Sequence, residues 1–155
     1  MEQLECSEVV GACYELGGEE MYRTEQNLQR AISGEARSHL EYMAFSMRAM
    51  EEGFPEIAQI FMEAAGAETI HGVSHLKVAG GVRSTLENLK ESVNAEDFEV
   101  EELYPRFITE AEEESRMDAA ASFELALRRE RHHQQMFKKA LKEIQAKEAV
   151  AGTAS

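Results

Sequence analysis

The chain has 155 residues, 43% of them hydrophobic, and it carries a formal net charge of −14 at pH 7. This length and apolar content fit one globular domain with a buried core, and they exclude a disordered chain. The strong negative charge argues against nucleic acids and anionic membrane surfaces as partners.

Residues 1–20 show no sign of a secretory signal, because they contain neither a basic region nor an apolar run. No apolar stretch of the chain is long enough to span a bilayer, so we expect a cytoplasmic protein. Cys6 and Cys13 lie seven positions apart, a spacing that would place both on one face if this segment is helical. This spacing fits a packing role and matches neither a metal knuckle nor a disulfide framework.

Helix-forming residues dominate the remainder, and glycine and proline divide it. Gly53 and Pro55 separate the first two helices, and Gly80 ends the second. We expect a short helix at 84–93, inside the connection 80–95. The long helices are predicted at 23–52, 55–79, 95–115 and 118–147. They form one helical domain over 21–148, between an N-terminal extension (1–20) and a frayed tail (149–155).

Two segments 62 residues apart repeat one pattern, from Glu51 to His71 and from Glu113 to His133. The identical pairs at this offset are Glu51/Glu113, Glu52/Glu114, Ala58/Ala120, Phe61/Phe123, Ala64/Ala126, Glu68/Glu130 and His71/His133, preceded by Tyr42/Tyr104 and Phe45/Phe107. A duplicated helix pair predicts an all-α fold, a four-helix bundle made of two such pairs.

Each copy of the repeat ends in a Glu-x-x-His motif, Glu68 with His71 and Glu130 with His133. Both motifs lie in the apolar stripes of their helices, and Glu35 interrupts the stripe of the first helix in the same way. Burying a lone ionised carboxylate costs several kcal/mol unless it is paired or bound to a metal. We therefore expect these side chains to share one metal site.

The third helix adds two carboxylates, Glu96 and Glu99. Five glutamates and two histidines can hold two cations about 3.5–4 Å apart, bridged by carboxylates. Such oxygen-rich ligation suits iron or manganese, and the lack of thiolates argues against structural zinc. Of these two metals we expect iron, because a site of this kind is suited to redox chemistry. Gly66 is expected to leave room for the metals or for close helix packing, and Pro105 to kink the helix beside Glu99.

The motifs SGEARSHLEY, AETIH, AEDFEVEELYPRF and RRERHH resemble the rubrerythrin family of ferritin-like di-iron proteins, over about residues 24–144. The presence of both Glu96 and Glu99 fits this family, whereas bacterioferritin-type sites use one glutamate from the third helix. Rubrerythrins proper also carry a rubredoxin domain with two CxxC pairs, which this sequence lacks. The chain is therefore similar to the erythrin-only members, which take electrons from a separate donor.

The resemblance implies a carboxylate-bridged pair of iron ions, with manganese as the alternative metal. Glu68 and Glu130 are implied to bridge the two metals. Glu35 is implied to be a terminal ligand of one metal, and Glu96 and His133 of the other.

The resemblance further implies that His71 and Glu99 exchange on the first metal as the pair is oxidised. An imidazole suits the less charged ferrous pair, and a carboxylate compensates the extra charge of the ferric pair. Tyr42 and Tyr104 match hydroxyl groups that orient the ligating carboxylates. The implied activity is reduction of hydrogen peroxide to water, a peroxidase protecting against oxidative stress, with an external electron donor such as rubredoxin.

Three further expectations complete this interpretation. A homodimer is implied by the resemblance, and the connection 80–95 permits exchange of helix pairs between subunits. His39 and His75, one turn beyond Glu35 and His71, are expected to pack in the core or to support the ligands. His132 is expected to face outward or toward a partner subunit, because it points about 100° away from His133.

Two other functions stay open. One is a ferroxidase or iron-storage protein of the ferritin-like class. Glu99 argues against it, as does the lack of a recognisable shell-forming fifth helix. The other is a non-catalytic binding or sensing protein that the metal merely stabilises.

Overall fold

The computed structural model describes residues 22–152, and their side chains up to residue 148. Within these limits all regular structure is helical, which confirms the predicted all-α class. The segments, in order, are α1 (Arg23–Glu51), α2 (Pro55–Val78), α3 (Thr85–Phe98), a π-helical segment (Glu99–Leu103), α4 (Tyr104–Glu113) and α5 (Met117–Gly152). None of these helices is long and apolar enough to cross a membrane.

The chain divides into two compact units, Met1–Ala79 and Gly80–Ser155. The first unit contains the α1–α2 pair, and the second contains α3, the π-helical segment, α4 and α5. The predicted N-terminal extension, with Cys6 and Cys13, lies outside the described residues, and so do residues 153–155 of the predicted tail.

The turn between α1 and α2 follows from its glycine and proline. Gly53 has a φ of +83°, which costs glycine nothing, and it stops α1 one residue before the predicted end. The Phe54 N–H donates to the Ala49 carbonyl at 2.8 Å across this turn. Pro55 begins α2, where its missing N–H is not needed.

The first unit packs through small residues. Ala49, Ala58 and Ala65 are its buried apolar side chains, and they allow the backbones of α1 and α2 to approach closely. Ser46 is also buried, and its hydroxyl donates to the Ala58 carbonyl at 2.9 Å. This hydrogen bond satisfies a polar group inside the interface between the two helices.

The second unit begins with a capping box. The Glu87 N–H donates to the Ser84 side-chain oxygen, and the Ser84 N–H donates to the Glu87 carboxylate. Neither glycine nor proline follows until Pro105, so the helix continues. The short helix predicted over 84–93 is therefore not separate: it is the first part of a continuous helical segment that reaches Glu113.

A π-helical segment, Glu99–Leu103, stands where the sequence predicted a kink. The Tyr104 N–H donates to the Glu99 carbonyl, five residues back, as π-helical geometry requires. Pro105, which has no N–H to donate, follows at the start of α4. The disturbance predicted beside Glu99 thus takes the form of one wider helical turn.

The 62-residue repeat is visible in three dimensions. The buried apolar residues of the second unit, Ala111, Ala120 and Leu127, take the places of Ala49, Ala58 and Ala65. Each unit also contains a cluster of three aromatic rings, and the two clusters match. In the first unit the ring centroids of Tyr42, Phe45 and Phe61 lie 5.5–6.4 Å apart. In the second unit those of Tyr104, Phe107 and Phe123 lie 5.4–6.5 Å apart.

The second turn copies the first with one change. Ser115 takes the place of Gly53 and adopts a φ of +59°, which is unfavourable for a residue with a Cβ. The Arg116 N–H donates to the Ala111 carbonyl at 2.8 Å, the same bond that closes the first turn. The two helix pairs are therefore copies of one structural unit.

Candidate metal centre

The first unit brings three predicted ligands together. The ligating atoms of Glu35, from α1, and of Glu68 and His71, from α2, all lie within 4.8 Å of one another. His71 Nδ1 lies 3.0 Å from Glu68 Oε2 and 4.0 Å from Glu35 Oε2. Glu68 and His71 face Glu35 together because three positions separate them on α2. We call these residues the first triad.

The second unit contains an equivalent group. Glu96 comes from α3, and Glu130 and His133 from α5, with ligating atoms again within 4.8 Å of one another. His133 Nδ1 lies 2.7 Å from Glu130 Oε2 and 4.0 Å from Glu96 Oε1. These residues are the second triad, and their distances match those of the first triad within a few tenths of an ångström.

The π-helical segment keeps the two triads equivalent. Seven positions separate Glu35 from Tyr42, but eight separate Glu96 from Tyr104. An unbroken α-helix would turn Glu96 about 100° away from the position that Glu35 holds in the first unit. The wider turn of the π-helical segment absorbs the extra residue. Glu96 can therefore join its triad while Tyr104 joins its aromatic cluster.

Glycine allows α2 to approach Glu35 closely. A Cβ added at Gly72 would lie 3.4 Å from the Cβ of Glu35, whereas one added at Gly66 would meet no described atom within 4 Å. The close helix packing considered for Gly66 therefore occurs at Gly72, next to His71.

The carboxyl groups of the first triad affect each other's protonation. A hydrogen bond with Glu68 is the main reason why the pKa of Glu35 is raised, and burial adds to this effect. The same hydrogen bond, together with one to His71, lowers the pKa of Glu68. The opposite shifts indicate that Glu35 is the carboxyl group of the pair that more readily keeps a proton.

Burial raises the pKa of Glu96 in the second triad, and the negative charges of Glu130 and Glu99 raise it further. One oxygen of this side chain, Oε2, is buried and has no hydrogen-bond partner among the described residues. A buried oxygen without a hydrogen-bond partner lowers the stability of the fold by about 1–3 kcal/mol. Binding of a proton or a cation to this oxygen would remove that cost.

Glu99 begins the π-helical segment and is half-buried beside the second triad. Burial and the charge of Glu130 raise its pKa, and His133 lowers it. The structure thus brings Glu99 within electrostatic range of the second triad, although Glu99 is not among the three clustered ligands.

The two tyrosines differ in how they relate to the carboxylates. Burial, followed by the charges of Glu99, Glu130 and Glu96, raises the pKa of Tyr104. Its hydroxyl therefore stays protonated and can donate to a carboxylate nearby. The ring of Tyr42 packs with Phe45 and Phe61. A role for its hydroxyl stays a prediction.

The structure also defines the histidines that the sequence left open. His39 Nδ1 lies 3.0 Å from the Ala65 carbonyl oxygen, so it links α1 to α2. His75 Nε2 lies 3.9 Å from Glu35 Oε1, which makes it a neighbour of the first triad. His132 is exposed, as predicted.

Sequence reasoning missed Asp97 as a structural residue. It accepts hydrogen bonds from Lys138 at 2.7 Å and from Gln134 at 2.8 Å. These bonds lower the pKa of Asp97, the Lys138 bond most strongly, and they fasten α3 to α5 next to Glu96. The sequence contained a signal for this contact: Asp97 directly follows the predicted ligand Glu96, and Lys138 lies one helical turn after Gln134.

The donor set fits divalent metals that prefer oxygen. Each triad offers two carboxylates and one imidazole, without a thiolate, which suits iron or manganese. The unpartnered Glu96 Oε2 supports this fit, because a bound cation would satisfy it. The fold and the two triads thus define a helical protein with a candidate carboxylate–histidine metal centre.

Comparison with known proteins identifies the family. The family model described as Rubrerythrin matches residues 26–141, so the chain belongs to the rubrerythrin family and to its ferritin-like class. A nigerythrin from Nitratidesulfovibrio vulgaris is 34% identical over 137 residues, which cover 79% of this chain and 68% of that protein. A putative rubrerythrin from Methanocaldococcus jannaschii is 31% identical over 147 residues, covering 81% and 72%.

The chain was also compared with solved structures. A structure of nigerythrin in its fully reduced, all-ferrous state is 30% identical, with a TM-score of 0.41. The match covers 83% of this chain and 70% of that chain. The family that the sequence motifs predicted is confirmed by the family model and by the two sequence relatives.

Proposed function

We propose that the two triads and Glu99 supply the ligands of a carboxylate-bridged pair of iron ions, and that the protein is a peroxidase that reduces hydrogen peroxide to water. The observation that carries this proposal is the presence of two equivalent triads, each with its ligating atoms within 4.8 Å. Membership of the rubrerythrin family supports a di-iron centre and an oxidoreductase.

Charge balance supports two metal ions. The triads and Glu99 together hold five carboxylates, and two like charges 4 Å apart repel by about 4 kcal/mol at an effective dielectric of 20. Two divalent cations supply four positive charges, which nearly neutralise the five carboxylates. The raised pKa values of Glu35, Glu96 and Glu99 are consistent with this need, because burial and neighbouring carboxyl groups disfavour their ionised forms and a cation would favour them.

Each ligand has a proposed role. Glu68 and Glu130 would bridge the two metals, as the family resemblance implies, and each lies within 3.0 Å of the histidine that would bind beside it. Glu35 would be a terminal ligand of the metal that also binds His71. Glu96 and His133 would be terminal ligands of the other metal.

A reduced pair of iron ions supplies the two electrons that, with two protons, convert one hydrogen peroxide into two waters. The residues around it must hold the ligands in place and deliver protons. The protonated hydroxyl of Tyr104 is suited to orient a carboxylate of the second triad. Glu99 is proposed as the carboxylate that replaces His71 when the metals are oxidised, and its half-buried position beside the second triad is compatible with this role.

Anaerobic mixing experiments test the proposed activity. The iron-loaded, reduced protein is mixed with hydrogen peroxide or with oxygen, and the absorbance of the ferric product is followed in a stopped-flow instrument. Faster oxidation by peroxide than by oxygen supports the peroxidase. Faster oxidation by oxygen would favour a ferroxidase, and no oxidation by either would leave a metal that only stabilises the fold.

Replacement of Glu99 tests the ligand exchange. Glu99→Ala is expected to retain two metals per chain, because both triads remain, and to slow oxidation by peroxide at least tenfold. Glu101→Ala is the matched control, since Glu101 is exposed in the same π-helical segment. Metal analysis and stopped-flow rates measure both effects, and an unchanged rate for Glu99→Ala would remove Glu99 from the mechanism.

The partners are proposed on the family resemblance. An external donor such as rubredoxin returns the electrons, and the protein acts in the cytoplasm as a homodimer in which helix pairs can exchange. Exposed apolar side chains on α2, among them Ile60, Ile70 and Val78, support association with a further surface. Mass determination by light scattering tests the dimer, and reduction of the ferric protein by added rubredoxin tests the donor.

A further inference from the structure

The two carboxylate oxygens of Glu35 face two different imidazoles. Glu35 Oε2 points into the first triad and lies 4.0 Å from His71 Nδ1. Glu35 Oε1 lies 3.9 Å from Nε2 of His75, one helical turn further along α2. One oxygen is therefore directed to the metal ligands, and the other to a histidine outside the triad.

The backbone holds His75 in this position. Gly72 lies between His71 and His75, and it marks the point of close approach, because an added Cβ would lie 3.4 Å from the Cβ of Glu35. The two histidines thus flank the place where Glu35 meets α2. The side chain of His75 is 37% exposed, compared with 56% for His71, so His75 lies deeper between the helices.

The second unit shows what happens without such a histidine. The repeat places Phe137 where the first unit has His75, and a phenyl ring offers no hydrogen bond to a carboxylate. In this unit Glu96 Oε1 faces His133, and Glu96 Oε2 is buried without a partner among the described residues. The atom left unpartnered in the second triad corresponds to the one that faces His75 in the first.

We propose that His75 is a positioning residue for the metal of the first triad. Its Nε2 lies 3.9 Å from Glu35 Oε1, a gap that a small side-chain rotation or one bridging water closes, so that Nε2–H donates to Oε1 and leaves Oε2 free to bind the metal. Hydrogen bonds of this kind fix the orientation of a ligating carboxylate and typically change metal affinity by about 10–100-fold. The two triads are then unequal, since only the first has this support. The inference rests on the metal binding in the proposed function, and it is independent of peroxide reduction.

Metal affinity tests this inference without an activity measurement. Co²⁺ binding to the full-length protein is measured by competition with a chelating dye. His75→Phe introduces the residue that the second unit carries at this place, so the change is compatible with the fold, which circular dichroism verifies. This variant is expected to lose about 10–100-fold in affinity for at least one Co²⁺ equivalent.

A conservative variant and a control complete the design. In His75→Gln the amide nitrogen lies about as far along the side chain as Nε2, so this variant should bind Co²⁺ within a few-fold of the unaltered protein. His132→Phe removes an exposed histidine outside the triads and should not change the affinity. Equal affinity of the unaltered protein and His75→Phe would overturn the inference alone. Failure of the unaltered protein to bind Co²⁺ would overturn the proposed function as well.

X-ray absorption separates positioning from direct ligation. The number of imidazoles bound to Co²⁺ should be the same in the unaltered protein and in His75→Phe, once both are saturated with metal. A count lower by one imidazole in His75→Phe would make His75 a ligand and would overturn its role as a positioning residue.

Discussion

Replacing Glu96 with glutamine is expected to stabilise the metal-free protein at neutral pH. Burial and the charges of Glu130 and Glu99 raise the pKa of Glu96 in the folded chain. A group with a raised pKa stabilises the fold fully below its unfolded pKa, and this contribution is lost as the pH rises through its folded pKa. At pH 7 the ionised Glu96 therefore opposes folding, whereas a neutral amide does not.

The size of the effect follows from the geometry of the second triad. Its ligating atoms lie within 4.8 Å of one another, and two unit charges at that distance repel by about 3.5 kcal/mol at an effective dielectric of 20. Retained protons and the attraction of His133 relieve most of this repulsion, so we expect a net gain of about 1 kcal/mol. For a chain of this length, that corresponds to a rise of about 2–4 °C in Tm.

Thermal unfolding followed by circular dichroism in EDTA measures the gain. The advantage of Glu96→Gln should be largest at pH 7 and should shrink toward pH 5, because the effect operates above the ordinary glutamate pKa of 4.5. Glu124→Gln, an exposed change on α5, should leave Tm within about 1 °C. With metal added, the order should reverse, since the unaltered protein keeps all its ligands. A metal-free Glu96→Gln variant no more stable than the unaltered protein at pH 7 would refute the proposed repulsion.

Two further predictions concern the backbone. Ser115→Gly should raise the free energy of unfolding by about 1 kcal/mol, because Ser115 has a φ of +59°, and Gly53→Ser should lower it by a similar amount. Gly66→Ala should add about 0.5–1 kcal/mol, whereas Gly72→Ala should add less, because its Cβ would lie 3.4 Å from the Cβ of Glu35, at the short limit of ordinary contact. Urea unfolding measures all four variants. A loss of stability in Ser115→Gly, or equal gains at both helix glycines, would contradict this reasoning.

The helix ends and the triads could be predicted from the sequence because their signals are local. Gly53 and Gly80 adopt positive φ angles and end α1 and α2 within one residue of the predicted positions. In each Glu-x-x-His motif the two side chains also lie together, since a spacing of three residues on a helix fixes their common direction. Neither result required knowledge of distant contacts.

The π-helical segment could not be predicted in the same way. A fixed offset of 62 pairs Glu35 with Asp97, yet the structure gives the equivalent place to Glu96. One extra residue can be absorbed by a loop, a kink or a wider turn, and the choice depends on packing at both ends of the segment. Here Glu96 is held by its triad and Tyr104 by its aromatic cluster, so the turn between them must widen.

The places where the two units differ carry more functional information than those where they agree. The two triads are shared because the helix pair is duplicated, and one triad supplies enough ligands for a helix pair to bind one metal. The second unit adds Glu99 through its widened turn, and the first adds His75 where the second has Phe137. In the proposed centre, an additional carboxylate and an additional imidazole would give the two metals different surroundings. A centre whose two metals differ can change one ligand during oxidation and keep the others fixed, which a symmetric pair has no physical reason to do.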